Sequence, residues 1–272
     1  MRLKNQPKKS CGVDVTSYDV LKFFGIVMML ADHVGVFYAE DWYGLRVFGF
    51  AESIWFFLIG YAGTRPIPKS WLIGGVLLIF SDVAMGGALL FFPILFTFVL
   101  IRLCITRLGS WATESIWAFL VIIIVLAALN SVTGLFFEYG TYGFICAIFG
   151  YMRRHKDELE VPSWLMLSFI AFMVLFSTWF QIIYLPLLPL GAYLGIVAGR
   201  GIMFYALYHF RPVNWPDLKK YAPGLTPVLR FCGRWTLEIY VIHMLILKAV
   251  FTAMHPELVN LFQFRLLPVW PF

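Results

Sequence analysis

VLKFFGIVMMLADHVGVFY, residues 20–38, decides the class of this chain. Its 19 residues are apolar apart from Lys22, Asp32 and His33, long enough to cross a bilayer core as a helix. A carboxylate inside such a span is costly and usually serves a site. Lys22 precedes His33 by 11 residues. At about 100° per residue that is three turns plus ~20°, so both project from one helix face, ~16 Å apart along the axis. One face therefore carries a cation near the membrane surface and a titratable imidazole deeper in.

The rest of the chain agrees with a membrane setting. Of 272 residues, 61% are hydrophobic and 13% charged, and mean hydropathy is +0.82. Soluble domains carry about 25% charge. The basic start, MRLKNQPKKS, leads into CGVDVTSYD rather than an apolar core with a small-residue cleavage site, which argues against a cleaved signal peptide. Cys11, Cys104, Cys146 and Cys232 show no paired spacing, so neither a disulfide framework nor a metal site is expected.

Apolar segments fall at 20–38, 46–62, 71–84, 88–103, 116–133, 139–152, 163–183, 188–208 and 233–254. They predict an all-α, polytopic bundle of about nine transmembrane helices with the N-terminus cytoplasmic and the C-terminus outside. Residues 1–19 read as a cytoplasmic tail, 20–254 as the membrane domain and 255–272 as a short extracytoplasmic tail. This topology puts 17 of the 21 Lys and Arg inside, from Arg2, Lys4, Lys8 and Lys9 through Arg65, Arg102, Arg107 and Arg153 to Arg234. Arg46 and Arg265 lie outside. The positive-inside rule is met loop after loop, so the charge of +6 reflects topology and not a nucleic-acid partner. Segments 71–84 and 88–103, flanking Met85-Gly86-Gly87, are short; they read as thin tilted helices or as a broken re-entrant pair. The longest loop, Phe210 to Phe231, reads as a structured cover.

Chemistry must then come from residues within the membrane layer. Asp32, His33, Glu52 and Asp82 fall in the outer half, Arg200 mid-membrane, and His243 near the centre of the last segment with Glu238 below it. Such groups are cheapest around one shared polar cavity. His33 is the candidate general base, with Asp32 and His243 as catalytic partners. Asp32 points about 100° away from its neighbour, so its expected role is to orient an incoming amine or to pair with Arg200 or another histidine. Glu52, Asp82 and Arg200 are candidate substrate contacts. Glu238 is expected to pair with Arg234. Lys22, Arg65, Arg102 and Arg107 near the cytoplasmic surface suit a polyanionic cosubstrate, beside their ordinary roles in topology and lipid contact.

LKFFGIVMMLADHVG resembles the opening signature of the TraX family through Leu21, Lys22, Gly25, Met28 or Met29, Asp32, His33 and Gly35. Lys22 and His33 also match the first-helix spacing of the wider membrane acyltransferase-3 group, and FCGRWTLEIYVIHMLILK, residues 231–248, looks like its last conserved helix. The resemblance implies a multi-pass protein of the bacterial inner membrane. The implied activity is transfer of an acetyl group from cytosolic acetyl-CoA to an acceptor such as a pilin N-terminal amine, with His33 as base, Lys22 near the donor and no metal. A cell-surface glycan hydroxyl is the alternative acceptor. A proton-coupled transporter and a non-catalytic assembly partner are the rival classes; membrane lipids are partners in all of them.

Overall fold

In the computed structural model, residues 14–38, 48–63, 65–184 and 189–257 are described, with single positions at 45, 259, 261, 263, 265 and 266. Arg2, Lys4, Lys8, Lys9, Cys11 and Arg46 lie outside the described residues. The elements run β1 (Val15–Thr16), α1 (Ser17–Tyr38), α2 (Glu52–Ala62), α3 (Lys69–Ala84), α4 (Ile94–Glu114), α5 (Ile116–Thr133) and α6 (Tyr142–His155). There follow α7 (Ser163–Tyr184), α8 (Leu190–Tyr208), β2 (Asn214–Trp215), α9 (Leu218–Tyr221), α10 (Leu225–Arg234) and α11 (Thr236–Met254). β1 and β2 are a two-residue antiparallel pair, Val15 opposite Trp215. The fold is otherwise all-α.

Among the described residues six helices, α1, α4, α5, α7, α8 and α11, are long and apolar enough to cross a membrane. Their outward faces carry large apolar side chains in the open: Trp117 is 74% exposed, Ile202 71% and Leu175 69%. Exposed apolar surface on this scale requires an apolar solvent, and lipid supplies it.

The two short helices α2 and α6 sit at the centre. Phe56, Phe57, Ile145, Cys146 and Phe149 are fully buried there. Their backbones touch: a Cβ on Gly60 would stand 1.9 Å from the Ala147 carbonyl oxygen, and one on Gly150 2.2 Å from that of Phe57. Small residues at a helix crossing permit this approach, which gives close packing where hydrophobic exclusion of water is absent.

Local chemistry sets the helix ends. Thr16 and Asp19 form a capping box for α1: the Thr16 hydroxyl accepts the Asp19 amide at 3.3 Å, and Asp19 Oδ2 accepts the Thr16 amide at 2.8 Å. The expected 46–62 segment begins its helix only at Glu52, after a turn over 48–51. The 88–103 segment is displaced further, because residues 87–92 are drawn into strand-like pairing. Leu89 donates to the Arg265 carbonyl at 2.8 Å, Phe92 to that of Phe136 at 2.6 Å, and Glu138 back to Phe92 at 2.9 Å. Helix α4 therefore starts after Pro93 and runs to Glu114, where Ser115 Oγ accepts the Ala118 amide and opens α5. Arg107, expected in the loop after 103, rides on α4 with Arg102. The stretch 71–103 is two separate helices joined by 85–93. The Phe210–Phe231 cover contains β2, α9 and most of α10.

Candidate functional site

Helix α1 runs beside α11: Lys22 Nζ ties it to the end of α10 by donating to the Gly233 carbonyl at 2.8 Å, and the Tyr38 hydroxyl ties it to α11 by donating to the Leu247 carbonyl at 2.7 Å. Between these ties His33 Nδ1 meets His243 Nε2 at 2.8 Å, and His243 Nδ1 meets the Ile239 carbonyl at 2.8 Å. The ring planes differ by 19° with centroids 5.0 Å apart. Two imidazoles joined edge to edge produce that separation, which is too long for face-to-face contact. A carbonyl only accepts, so His243 carries its proton on Nδ1. In the neutral pair His243 Nε2 then accepts from His33 Nδ1–H, which leaves the lone pair of His33 on Nε2.

His33 borders a small cavity with Asp32, Glu52, Glu138, Tyr139 and Tyr240, with Phe48 and Trp55 also in its lining. Its volume is about 20 Å³, room for a single water. Three carboxylates from α1, α2 and the α5–α6 loop thus converge beside one imidazole. Glu52 is buried, and Ser53 Oγ donates to it at 3.3 Å while also meeting the Tyr142 hydroxyl at 2.7 Å. Arg200 and Asp32 are the charged side chains acting on Glu52. Arg200 is itself 3% exposed and donates from Nη2 to Gln181 Oε1 at 2.6 Å. Its Nε and Nη1 have no hydrogen-bond partner among the described residues.

Glu138 was not among the sequence candidates, because it precedes a turn and reads as a loop acid. The chain bends sharply just after it, with φ of 66° at Tyr139 and 48° at Gly140. A positive φ is unusual for a tyrosine and sits where this side chain enters the site. The bend turns Glu138 inward, partly buried, where its Oε2 accepts the Ile94 amide at 2.7 Å and caps α4. Glu138 lies between spanning helices. Burial pushes its carboxyl up to about 7; the Ile94 amide works against that rise, the Asp82 charge adds to it and the Lys248 charge opposes it.

The remaining candidates separate. Asp82 does not line the cavity; it pairs with Lys248 of α11, whose ammonium also reaches Ser81 Oγ at 3.3 Å. Lys248 was also overlooked, since one basic residue late in an apolar helix gives no sign of a partner 166 residues away. Lys22 is committed to the Gly233 carbonyl and not directed at the cavity. Arg102 stacks on Trp71 at 4.5 Å, donates to the Pro66 carbonyl at 3.3 Å and feels the charge of Arg65. Arg107, five residues along, points about 140° away from Arg102 on the same helix. Among the described residues no ion pair links Glu238 to Arg234, which instead stacks 5.6 Å from the Trp235 ring. Among the described residues no three His, Cys, Asp or Glu side chains are arranged so that they could hold a metal ion together.

No family model matches this chain, and neither the curated proteins nor the solved structures contain a significant match to it.

Proposed function

We propose that this is a membrane-embedded acyltransferase in which His33 is the general base. The observation that carries the reading is the chain from the Ile239 carbonyl through His243 to His33 Nδ1, which fixes the tautomer of His33 with Nε2 as its basic nitrogen, at a cavity shared with Asp32, Glu52 and Glu138. In the transfer, the acceptor nitrogen or oxygen attacks the thioester carbonyl carbon of acetyl-CoA and His33 Nε2 takes its proton. The C–S bond then breaks, and the leaving thiolate of CoA takes up a proton. The carboxyl groups of Asp32, Glu52 and Glu138 around the base offer several hydrogen-bond acceptors, which suits an amine acceptor such as a pilin N-terminus, with its two or three N–H donors, better than a glycan hydroxyl with one.

Arg65 and Arg102 suit the phosphates of the donor, since two like charges held near each other need an anion between them. Helix α2 separates them from Glu52 by ~15 Å of axial rise, so the thioester arm would extend along that helix. A cavity with room for one water requires Phe48 and Trp55 to yield before an acyl group enters. The resemblance supports the same chemistry and the same setting. In it α2, α3 and α6 join the six long helices as nine alternating crossings of a bacterial inner membrane, from a cytoplasmic N-terminus to an outer C-terminus.

The test is purified protein in liposomes given radiolabelled acetyl-CoA, with and without an amine acceptor. Slow acceptor-free hydrolysis and acceptor acetylation, both lost in His33→Ala at matched protein, are expected. Retention of more than about a tenth of the turnover overturns the base assignment, because general-base catalysis contributes ~10²–10⁴-fold. Proton-coupled solute uptake without acetyl transfer would instead favour a transporter.

A further inference from the structure

A second opening lies away from the histidines and plays no part in the proposed transfer. It is a groove of about 600 Å³ between the first turns of α1 and the β2–α10 segment. Val20, Phe23 and Phe24 form one wall, and Trp215, Tyr221 and Leu225 the other. Its volume sits within the ~300–1,000 Å³ of ligand pockets, and its lining is overwhelmingly apolar.

Position and charge identify the occupant. The groove opens at the end of α1 where the chain enters its first long apolar helix, the level of a lipid headgroup region. Helix α10 lies alongside with Leu225, Val228 and Phe231 exposed on one side and Arg230 on the opposite side, an amphipathic pattern suited to the membrane interface. Trp215 and Tyr221 are the aromatic types that settle at that depth. Lys219 and Lys220 of α9, both exposed, stand in sequence between the lining residues Leu218 and Tyr221, and Asp217 is the one charged side chain in the lining itself. We propose that this groove is a binding site for an anionic glycerophospholipid, with one acyl chain along Phe23, Phe24 and Leu225 and the phosphate at Lys219 and Lys220. A zwitterionic lipid brings no net charge for the two lysines to attract, and a soluble peptide would have to displace lipid to reach the groove.

The site is tested with the full-length protein in phosphatidylcholine nanodiscs, replacing host lipid stepwise with phosphatidylglycerol brominated on its acyl chain. Bromine quenches tryptophan on contact, and the difference between the wild type and Trp215→Phe isolates the signal of Trp215. Half-quenching is expected at a lower mole fraction of brominated phosphatidylglycerol than of brominated phosphatidylcholine. Lys219→Ala with Lys220→Ala should raise the phosphatidylglycerol requirement by about fivefold for each lysine removed, and the two Arg replacements should preserve it. Both lysines are exposed, so these variants keep the fold. Equal curves for the two lipids, or a double variant that behaves as the wild type, overturn the proposal. So does the absence of any Trp215 signal, which would mean that the chain itself or a second copy fills the groove.

Discussion

His243 holds His33 from the neighbouring helix, with 2.8 Å between their facing nitrogens, and is itself anchored on the carbonyl one turn before it. The two rings form one hydrogen-bonded unit in which the tautomer of His33 is fixed by its neighbour. Under the proposed transfer, His33→Ala should lower turnover by ~10²–10⁴-fold, the worth of a general base. His243→Ala touches no reacting atom, so the loss should be smaller, about ten- to a hundredfold, as when an orienting partner is removed. His243→Gln, able to accept from His33 Nδ1, should recover part of it. Single-turnover acetyl transfer at matched protein measures all three, and equal losses for Ala and Gln would remove the positioning role.

Glu138 makes stability depend on pH. Its folded value of about 7 lies above the 4.5 of an unperturbed glutamate. A raised folded value means the native state binds the proton more tightly. The contribution is therefore fully present below about pH 4.5 and is lost as pH rises through 7. The loss amounts to about 3 kcal/mol at most. Glu138→Gln keeps an acceptor for the Ile94 amide and never ionises. Thermal unfolding at pH 5 and pH 8 should show the wild type losing stability on the alkaline side relative to this variant. Parallel curves would exclude Glu138 as the titrating group.

The crossing of α2 on α6 tolerates no added carbon. Gly60→Ala and Gly150→Ala each put a Cβ into a carbonyl oxygen of the other helix, 1.9 and 2.2 Å away, so the backbones must part. Overpacking of this kind costs about 1–3 kcal/mol, and contact with rigid backbone places it at the upper end or beyond. Gly195 on α8 meets nothing within 4 Å, and Gly195→Ala should be neutral or add up to ~1 kcal/mol through helix propensity. Monodisperse yield after extraction and thermal unfolding separate the two classes.

Lys22 and Arg102 should differ in what their loss changes. Lys22 bridges α1 to the end of α10 through the Gly233 carbonyl, so Lys22→Met should cost stability, about 1–2 kcal/mol, with the dependence on acetyl-CoA concentration unchanged. Arg102→Ala should raise the donor concentration needed for half-maximal transfer. A donor titration that moved with Lys22 and not with Arg102 would reverse these assignments.

The parts of this fold legible in the sequence are those written in contiguous residues. Runs such as 20–38, 116–133 and 163–183 became α1, α5 and α7 within a few positions, because a long apolar run in a membrane has few options other than a helix. The start of α4 was misread because Leu89, Leu90 and Phe92 pair with Arg265, Leu266 and Phe136, partners distant in sequence. The site divides in the same way. His33, Asp32, Glu52 and His243 were recognisable singly as polar groups in apolar helices, and the structure brings His33 to His243 and sets both acids around the same cavity. Asp82 and Lys22 looked equivalent to them on that criterion, yet each is engaged elsewhere, by Lys248 and by a backbone carbonyl. Glu138 reaches the cavity only through the backbone bend at Tyr139, which no hydrophobic pattern announces.

The brevity of α2 bears on how the chain is made. Eleven residues rise only ~16 Å, about half the thickness of a bilayer core, and Glu52 stands at one end. An insertion apparatus that sorts segments by length and greasiness has little reason to retain such a helix alone. The backbone surface that receives it belongs to α6, which begins at Tyr142, so α2 waits for most of the following 80 residues to be synthesised. Under the proposed nine-crossing topology, the early arrangement of the chain is then provisional during translation. A cysteine-accessibility reporter placed after Ala62 should read mixed sidedness in chains released before Tyr142 and a single orientation once Arg154 can cap the end of α2 through the Tyr61 and Ala62 carbonyls.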